Sequence, residues 1–477
     1  MILALKFLLA VAALVLPGEA LLRWLAPGCR WGWCRPLVAF GIGQGVAMWC
    51  LWVLGMAGVP MWSWGIALVL TASVVVLWLG RGRSGMKPVE ESPGLLPEQT
   101  TKPGFPAVVK MRRGMRYLAT LWEALPWLIL ILAAWVLTVQ AAEEALAHRI
   151  GSVPGMGNWA FKTKLLLMTE SWPADFFDYE AHNRRMGYPP GFPLLCGWCA
   201  AFMGGLETHA IRLLPVFLTT GTFLLAGTEM IRRRRWWGLP GVAALLALFL
   251  GYPGRGVLSH FYAEPLLLFT AAVTVVTLGS VRGNPGRLAI GLLAAGCMAW
   301  TKNEGVVGFF LIAGSLFVFA ESTGTTRRAV VVRALWVAGA MILPWRIYLA
   351  AHGWSDESFA WDSFVGEGRW ERLDGAWEEY RQAMFQHGAW MGAAWWILPL
   401  LVWFAFQRSS GMLPTLTITA AGWVAVAAVM MMGSAEEDFA WHARAAPRVL
   451  LCPSLLLLMG YAHIGMNQKK QEHEKIS

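Results

Sequence analysis

Apolar runs alternate with short polar gaps along nearly the whole chain. The runs cover 2–22, 37–57, 61–80, 118–142, 211–231, 236–252, 262–281, 288–301, 305–320, 334–351, 389–407, 412–432 and 447–465. An apolar stretch of about 17–25 residues crosses a bilayer as a helix. The pattern predicts an all-α polytopic membrane protein with about thirteen transmembrane helices. A shorter run at 191–206 is read as a re-entrant or tilted segment. Were it a full crossing, the run Arg232–Arg235 would change sides.

Composition supports this reading. The chain is 57% hydrophobic and 14% charged, whereas a soluble domain carries about a quarter charged residues. The net charge of +10 does not point to nucleic acid, because the basic residues flank the apolar runs. Many of the 29 Trp stand at run ends (Trp33, Trp62, Trp64, Trp236, Trp237 and Trp390), where the ring suits the headgroup layer. The seven Cys form no disulfide framework, and Cys196 and Cys199 read as small packing residues on one helix face.

Lys and Arg set orientation. They place a basic segment at 81–116 on the cytoplasmic side, together with Arg23, Arg30, Arg35, Arg232–Arg235, Arg282, Arg287, Arg327, Arg328, Lys469 and Lys470. The chain then divides into a three-span N-terminal region (1–80), a basic linker (81–116), a membrane core (117–351) with an outer loop at 143–190, a second outer loop (352–388), and C-terminal spans with a tail (389–477). Most acidic residues fall in the gaps that this scheme puts outside: 143–190, 252–264, 301–305, 352–387 and 433–448. A charge near the hydrocarbon costs roughly 2.5–3.5 kcal/mol on insertion scales, so charges confined to one layer point to use. Within the first outer loop, Trp159, Lys162, Leu165, Leu166 and Thr169 share helical spacing and predict an interfacial helix.

Four clusters carry candidate chemistry. Glu143 and Glu144 close the run at 118–142, where a carboxylate serves as general base toward a hydroxyl. Asn158–Lys162 is followed by Tyr188-Pro-Pro-Gly-Phe-Pro193; alone, these read as a snorkelling lysine and a turn. Trp300-Thr-Lys-Asn-Glu-Gly305 wedges Lys302 and Glu304 between two runs, and Tyr262-Ala-Glu264 opens another run on the same side. Glu436-Glu437-Asp438, His442, Arg444 and Arg448 precede the last run; guanidinium donors match phosphate oxygens, and the acidic triplet has the ligand type for a divalent metal, although acidic surface runs commonly hold none.

The order of these parts resembles the GT-C superfamily of membrane glycosyltransferases, and within it the bacterial protein mannosyltransferase and lipid A aminoarabinose transferase type. The resemblance rests on Trp159 and Lys162 (W-x-x-K), Tyr188-Pro189-Pro190, Tyr262-Ala263-Glu264, Thr301-Lys302-Asn303-Glu304-Gly305 and the late Arg448. It covers residues 118–350 well and the C-terminal third loosely. Relatives carry an Asp shortly before the Trp of W-x-x-K, where this chain has Val153-Pro-Gly-Met-Gly-Asn158. Glu143, Glu144, Asp178 or Glu180 must supply the loop acid instead.

The resemblance implies a GT-C-like helical bundle and a bacterial cytoplasmic membrane, with the site facing outside. It also implies inverting transfer of a sugar from a polyprenyl-phosphate donor to a lipid, glycan or protein acceptor. Glu144 or Glu143 would be the base. Lys302, His442, Arg444 and Arg448 would surround the phosphate. Glu264 and Glu304 would orient Lys302 or bind sugar hydroxyls, and Lys162 and Tyr188 complete the expected site. No nucleotide motif is evident, in keeping with a lipid-linked donor. A secondary transporter or lipid flippase, an O-antigen polymerase or ligase using Arg369, Arg372, Arg381 and His387, and a non-catalytic assembly protein are the competing readings.

Overall fold

The structure, a computed structural model, describes residues 2–27, 29, 31–80, 113–147, 158–178, 186–206, 208–251, 261–279, 281, 284–321, 323–354, 367–385, 395, 401–402, 412–432 and 445–464. Its regular elements are helical. Among the described residues, seven stretches are long and apolar enough to cross a membrane: Ile2–Leu25, Gly32–Met56, Met61–Leu79, Thr120–Ala147, Leu213–Leu250, Arg327–Ala351 and Met412–Met432. Four shorter apolar helices accompany them: Gly191–Met203, Glu264–Leu278, Asn303–Val318 and Ala446–Tyr461. The chain is a polytopic helical membrane protein. Helix length alone yields fewer crossings than the thirteen apolar runs, partly because the 38-residue stretch Leu213–Leu250 folds back on itself. It does so at Arg235, whose φ of +50° breaks the helix. The run expected at 389–407 lies mostly outside the described residues, as do most of the linker 81–116 and residues 433–444.

Helices α1 (Ile2–Leu25) and α2 (Arg35–Met56) are antiparallel and nearly touch backbone to backbone. A methyl added at Gly18 would fall 1.7 Å from the Ala39 carbonyl oxygen, and one at Gly43 would fall 2.0 Å from that of Leu14. Small residues permit such approach between membrane helices. A π turn at Met61–Gly65 leads into α3 (Ile66–Leu79). Then come α4 (Arg113–Ala147), α5 (Phe161–Met168), α6 (Gly191–Met203), α7 (Thr208–Ile211), α8 (Leu213–Arg234) and α9 (Leu239–Leu250). Next are α10 (Glu264–Leu278), α11 (Pro285–Thr301) and α12 (Asn303–Val318). Asn284 caps α11 by accepting from the Gly286 and Arg287 amides, with Pro285 in the first turn. Helix α13 (Arg327–Val337) continues through Ala338–Ile342 into α14 (Leu343–Ala351). The last elements are α15 (Arg369–Phe385), α16 (Met412–Met432), α17 (Ala446–Val449) and α18 (Leu451–Tyr461).

Side-chain pairs fix the directions. Helices α4 and α8 are antiparallel: Arg212 donates to the Ala145 carbonyl at 2.8 Å, Thr138 and Thr220 hydroxyls meet at 3.0 Å, and Glu123 lies 3.9 Å from Arg235. Helix α8 runs parallel to α10, since Gly221 faces Phe269 and Arg233 donates to the Gly279 carbonyl. The bundle therefore has an upper end, holding Met56, Ala145, Glu264, Trp300 and Met432, and a lower end, holding Leu25, Arg235, Gly279 and Ile464. The lower end carries Arg23, Arg35, Arg232–Arg235 and Arg287, as the charge pattern predicts. It also holds carboxylates, each beside arginine: Glu19 with Arg23 and Arg35, Glu123 with Arg235, and Glu229 with Arg232 and Arg233.

Helix α6 begins and ends in the upper half. A methyl on Gly191 would fall 2.4 Å from the Trp300 carbonyl oxygen. Trp198 donates to the Ala10 carbonyl at 3.0 Å, and Lys6, near the upper start of α1, donates to the Met203 carbonyl at 3.4 Å. Gly204 in a left-handed conformation (φ +87°) ends the helix. Thirteen residues make about 20 Å of helix, short of the roughly 30 Å hydrocarbon. The segment dips and returns.

The N-terminal region is not a separate body. Gly41 packs on Val273 and Gly45 on Cys297, inside the core. The faces left outward are apolar, as a lipid-facing surface requires: Leu121, Trp78 and Trp336 are all well exposed.

Candidate functional site

The upper end gathers charges from distant stretches of chain. Helix α11 ends at Thr301 because Lys302 adopts an extended backbone (φ −156°, ψ 157°), and α12 starts at Asn303. Gly305 lets this corner close, since a methyl there would fall 1.9 Å from the Met298 carbonyl oxygen. The corner aims Lys302 at two carboxylates: its Nζ lies 3.2 Å from Glu264 Oε1 and 2.8 Å from Glu304 Oε1. Glu264 opens α10, where a carboxylate suits a helix N-terminus. Arg448, in α17, reaches the same Glu264 oxygen at 3.7 Å and stacks on the Tyr262 ring at 4.5 Å. Burial disfavours the Lys302 ammonium, but Glu264 and Glu304 more than offset it and hold its pKa above the usual lysine range.

The first outer segment joins this cluster through Tyr188. Its ring has Lys302 Nζ at 5.8 Å and Lys162 Nζ at 5.9 Å. Lys162 is fully buried and donates to the Met186 carbonyl at 3.3 Å, so it is no snorkelling side chain. The helix predicted around it exists as α5, with Trp159, Lys162, Leu165 and Leu166 facing inward. That face packs on protein instead of lipid: Trp159 meets Tyr188 and Phe192, and Trp62 donates to the Leu166 carbonyl at 2.8 Å. The tryptophan pattern thus has two uses. Trp64 and Trp237 are exposed at helix ends, but Trp62 is a clamp on α5.

Six of the ten residues expected in the site meet here: Lys162, Tyr188, Glu264, Lys302, Glu304 and Arg448. His442 and Arg444 lie outside the described residues, as do Glu180 and Glu436–Asp438. Among the described residues no group of three or more His, Cys, Asp or Glu is arranged to hold a metal. Glu143 and Glu144 stand at the upper end of α4, the first exposed and the second half-buried. Helix α8 begins beside them, and Arg212 is buried there. Its Nε and one amino group make no hydrogen bond among the described residues.

Other features escaped the sequence reading. Tyr380 of α15 is almost completely buried; burial, and then the nearby Glu304 carboxylate, push its phenol pKa up. Arg346 donates to Asn303 Oδ1 at 2.8 Å. An aromatic cluster of Trp52, Trp172, Trp300, Trp345 and Tyr348 stands behind the corner, with ring centroids 5.4–6.4 Å apart. Trp172 donates to the Tyr348 hydroxyl at 2.8 Å and so ties the outer segment to α14. Removing that hydroxyl (Tyr348→Phe) is expected to cost about 1 kcal/mol. The check is limited proteolysis, which should cut the 158–178 segment faster while the bundle stays folded.

A cavity of about 730 Å3 lies at the lower end, lined by Trp31, Trp127, Glu229 and Arg232 among others. It is far from Lys302. The charge cluster is the better candidate for chemistry, because it draws ionic groups from four separate segments. No family model matches the chain, and neither does any curated protein or solved structure.

Proposed function

We propose that this protein is a membrane glycosyltransferase of the GT-C kind. It would move a sugar from a polyprenyl-phosphate donor to an acceptor at the outer face of a bacterial cytoplasmic membrane. The observation that carries the reading is the meeting of Lys302 with Glu264, Glu304 and, through Glu264, Arg448 at one end of the bundle. Lys302 and Arg448 bring fixed positive charge to that end, which suits an anionic ligand.

Glu304 is the best-placed base. Its Oε2 makes no hydrogen bond among the described residues, and its side chain keeps a quarter of its exposure. Glu143 and Glu144, the bases first expected, stand at the same end of the bundle on α4; Glu304 is preferred because it bonds Lys302 directly. An acceptor hydroxyl gives its proton to Glu304 as its oxygen attacks the anomeric carbon. The bond from that carbon to the phosphate oxygen breaks, and the phosphate leaves with the electron pair. Arg448 and Lys302 stabilise the charge that develops there, where fixed cations act most strongly. Attack opposite the leaving group inverts the anomeric centre.

Purified protein in lipid, given radiolabelled polyprenyl-phosphate sugars, tests this. Transfer or hydrolysis of the sugar is expected. Glu304→Gln should lower the rate by about 10²–10⁴-fold with the fold intact. Absence of both reactions across several sugars and acceptors contradicts the proposal, and movement of intact donor across the bilayer would favour a flippase.

A further inference from the structure

The lower-end cavity has the shape and charge of a lipid site. Its floor and walls are apolar: Leu130, Ile131, Ala134 and Trp135 of α4 face Leu224 and Leu225 of α8. Along α4 the lining runs from Trp127 to Thr138, about 16 Å of helix at 1.5 Å per residue. That is about half of a 30 Å hydrocarbon core, the depth of one leaflet. The groove opens sideways, since Ile131 and Trp135 remain 59% and 60% exposed. It begins at the lower end, where Trp31, Arg232 and Arg287 line it.

Charge is concentrated at that mouth. Arg287 stacks on the Trp31 ring at 4.5 Å. Arg232 bonds Glu229 at 2.9 Å, and Arg233 also bonds Glu229. Arg232 and Arg233 thus share one carboxylate, and Arg287 lines the same mouth. A guanidinium offers forked donors to phosphate oxygens, and an apolar trough of one-leaflet length continues from them. A free anion would need only the mouth; an apolar molecule would need only the trough.

We infer that this groove holds one anionic phospholipid of the leaflet at the lower end, with its phosphate at Arg232 and Arg287 and an acyl chain along α4 and α8. The site is independent of the chemistry proposed for the opposite end. Its occupant would seal α4 to α8 and to the turn Gly32–Cys34 ahead of α2, where their side chains leave a gap.

Delipidated full-length protein, titrated with dioleoyl phosphatidylglycerol, dioleoyl phosphatidylcholine or inorganic phosphate and followed by native mass spectrometry, tests the inference. One phosphatidylglycerol per chain is expected. Phosphatidylcholine should bind at least about tenfold more weakly, and inorganic phosphate should not compete. Ala134→Trp, which fills the trough, and Arg232→Gln, which weakens the mouth, should each reduce phosphatidylglycerol binding by about tenfold or more. Thr138→Phe provides a second plug should the first variant fail to fold. Equal binding of the two lipids overturns the inference. So does competition by inorganic phosphate alone, or unchanged binding to a folded plugged variant.

Discussion

Lys302→Met is expected to destabilise the protein by about 3–5 kcal/mol, the usual cost of leaving a buried charge without its partner. Glu264 is 4% exposed, and its Oε2 already has no hydrogen bond among the described residues. Without Lys302, the cation left to Glu264 Oε1 among the described residues is Arg448 at 3.7 Å, beyond good hydrogen-bond distance. Glu304 loses its 2.8 Å contact in the same step. The double variant Lys302→Met/Glu264→Gln removes both charges of the buried pair and should recover most of the loss. Thermal unfolding of the purified variants in one detergent measures both effects. A single variant as stable as the parent contradicts the ion pairing described here. Sugar transfer should stay absent in the single and the double variant alike, because neither restores a cation beside the leaving phosphate. That split separates the structural role of Lys302 from its proposed catalytic one.

The second large effect belongs to Gly305. A methyl at this position would stand 1.9 Å from a backbone oxygen of Met298, which cannot swing aside as a side chain can. Gly305→Ala must therefore move the start of α12 away from the end of α11. Overpacking of this kind costs about 1–3 kcal/mol. The functional loss should be greater than the stability loss, because Lys302 and Glu304 flank the displaced backbone. A misplacement of about 1 Å can cost about 10²-fold in rate. The expected result is folded protein with transfer reduced by that order, read from kcat and thermal unfolding on the same sample. Unchanged kcat would place the reacting centre away from the α11–α12 corner.

How far the sequence disclosed this arrangement depended on the kind of signal. Helices with long apolar runs, such as α1, α2 and α4, were legible because lipid demands the same property along their whole length. The corner at Lys302 was legible as well, since charged residues squeezed between two apolar runs have few places to go. Lys162 misled in isolation: a lysine in an amphipathic segment commonly reaches for water, and only the packing of α5 against α6 and Tyr188 shows it enclosed. Glu143 and Glu144 were legible by position, at the end of an apolar run, and they stand at the upper end of α4. Tyr380 and Arg346 escaped notice because their partners, Glu304 and Asn303, are distant in sequence. The aromatic cluster escaped for a related reason: tryptophans at run ends suit headgroups and protein interiors equally well. The lower-end groove had no sequence signature, being a gap between five elements.

The dip made by α6 carries a counting rule with it. Lys162 and Tyr188 precede α6, whereas Glu264, Lys302 and Arg448 follow it. For all five to share one compartment, the chain between them must traverse the bilayer an even number of times. The chain descends through α8 and is back at the upper end by Glu264, so α6 must contribute none. Lengthening α6 into a full traverse would make the tally odd, invert everything downstream and divide the ionic cluster between two aqueous compartments.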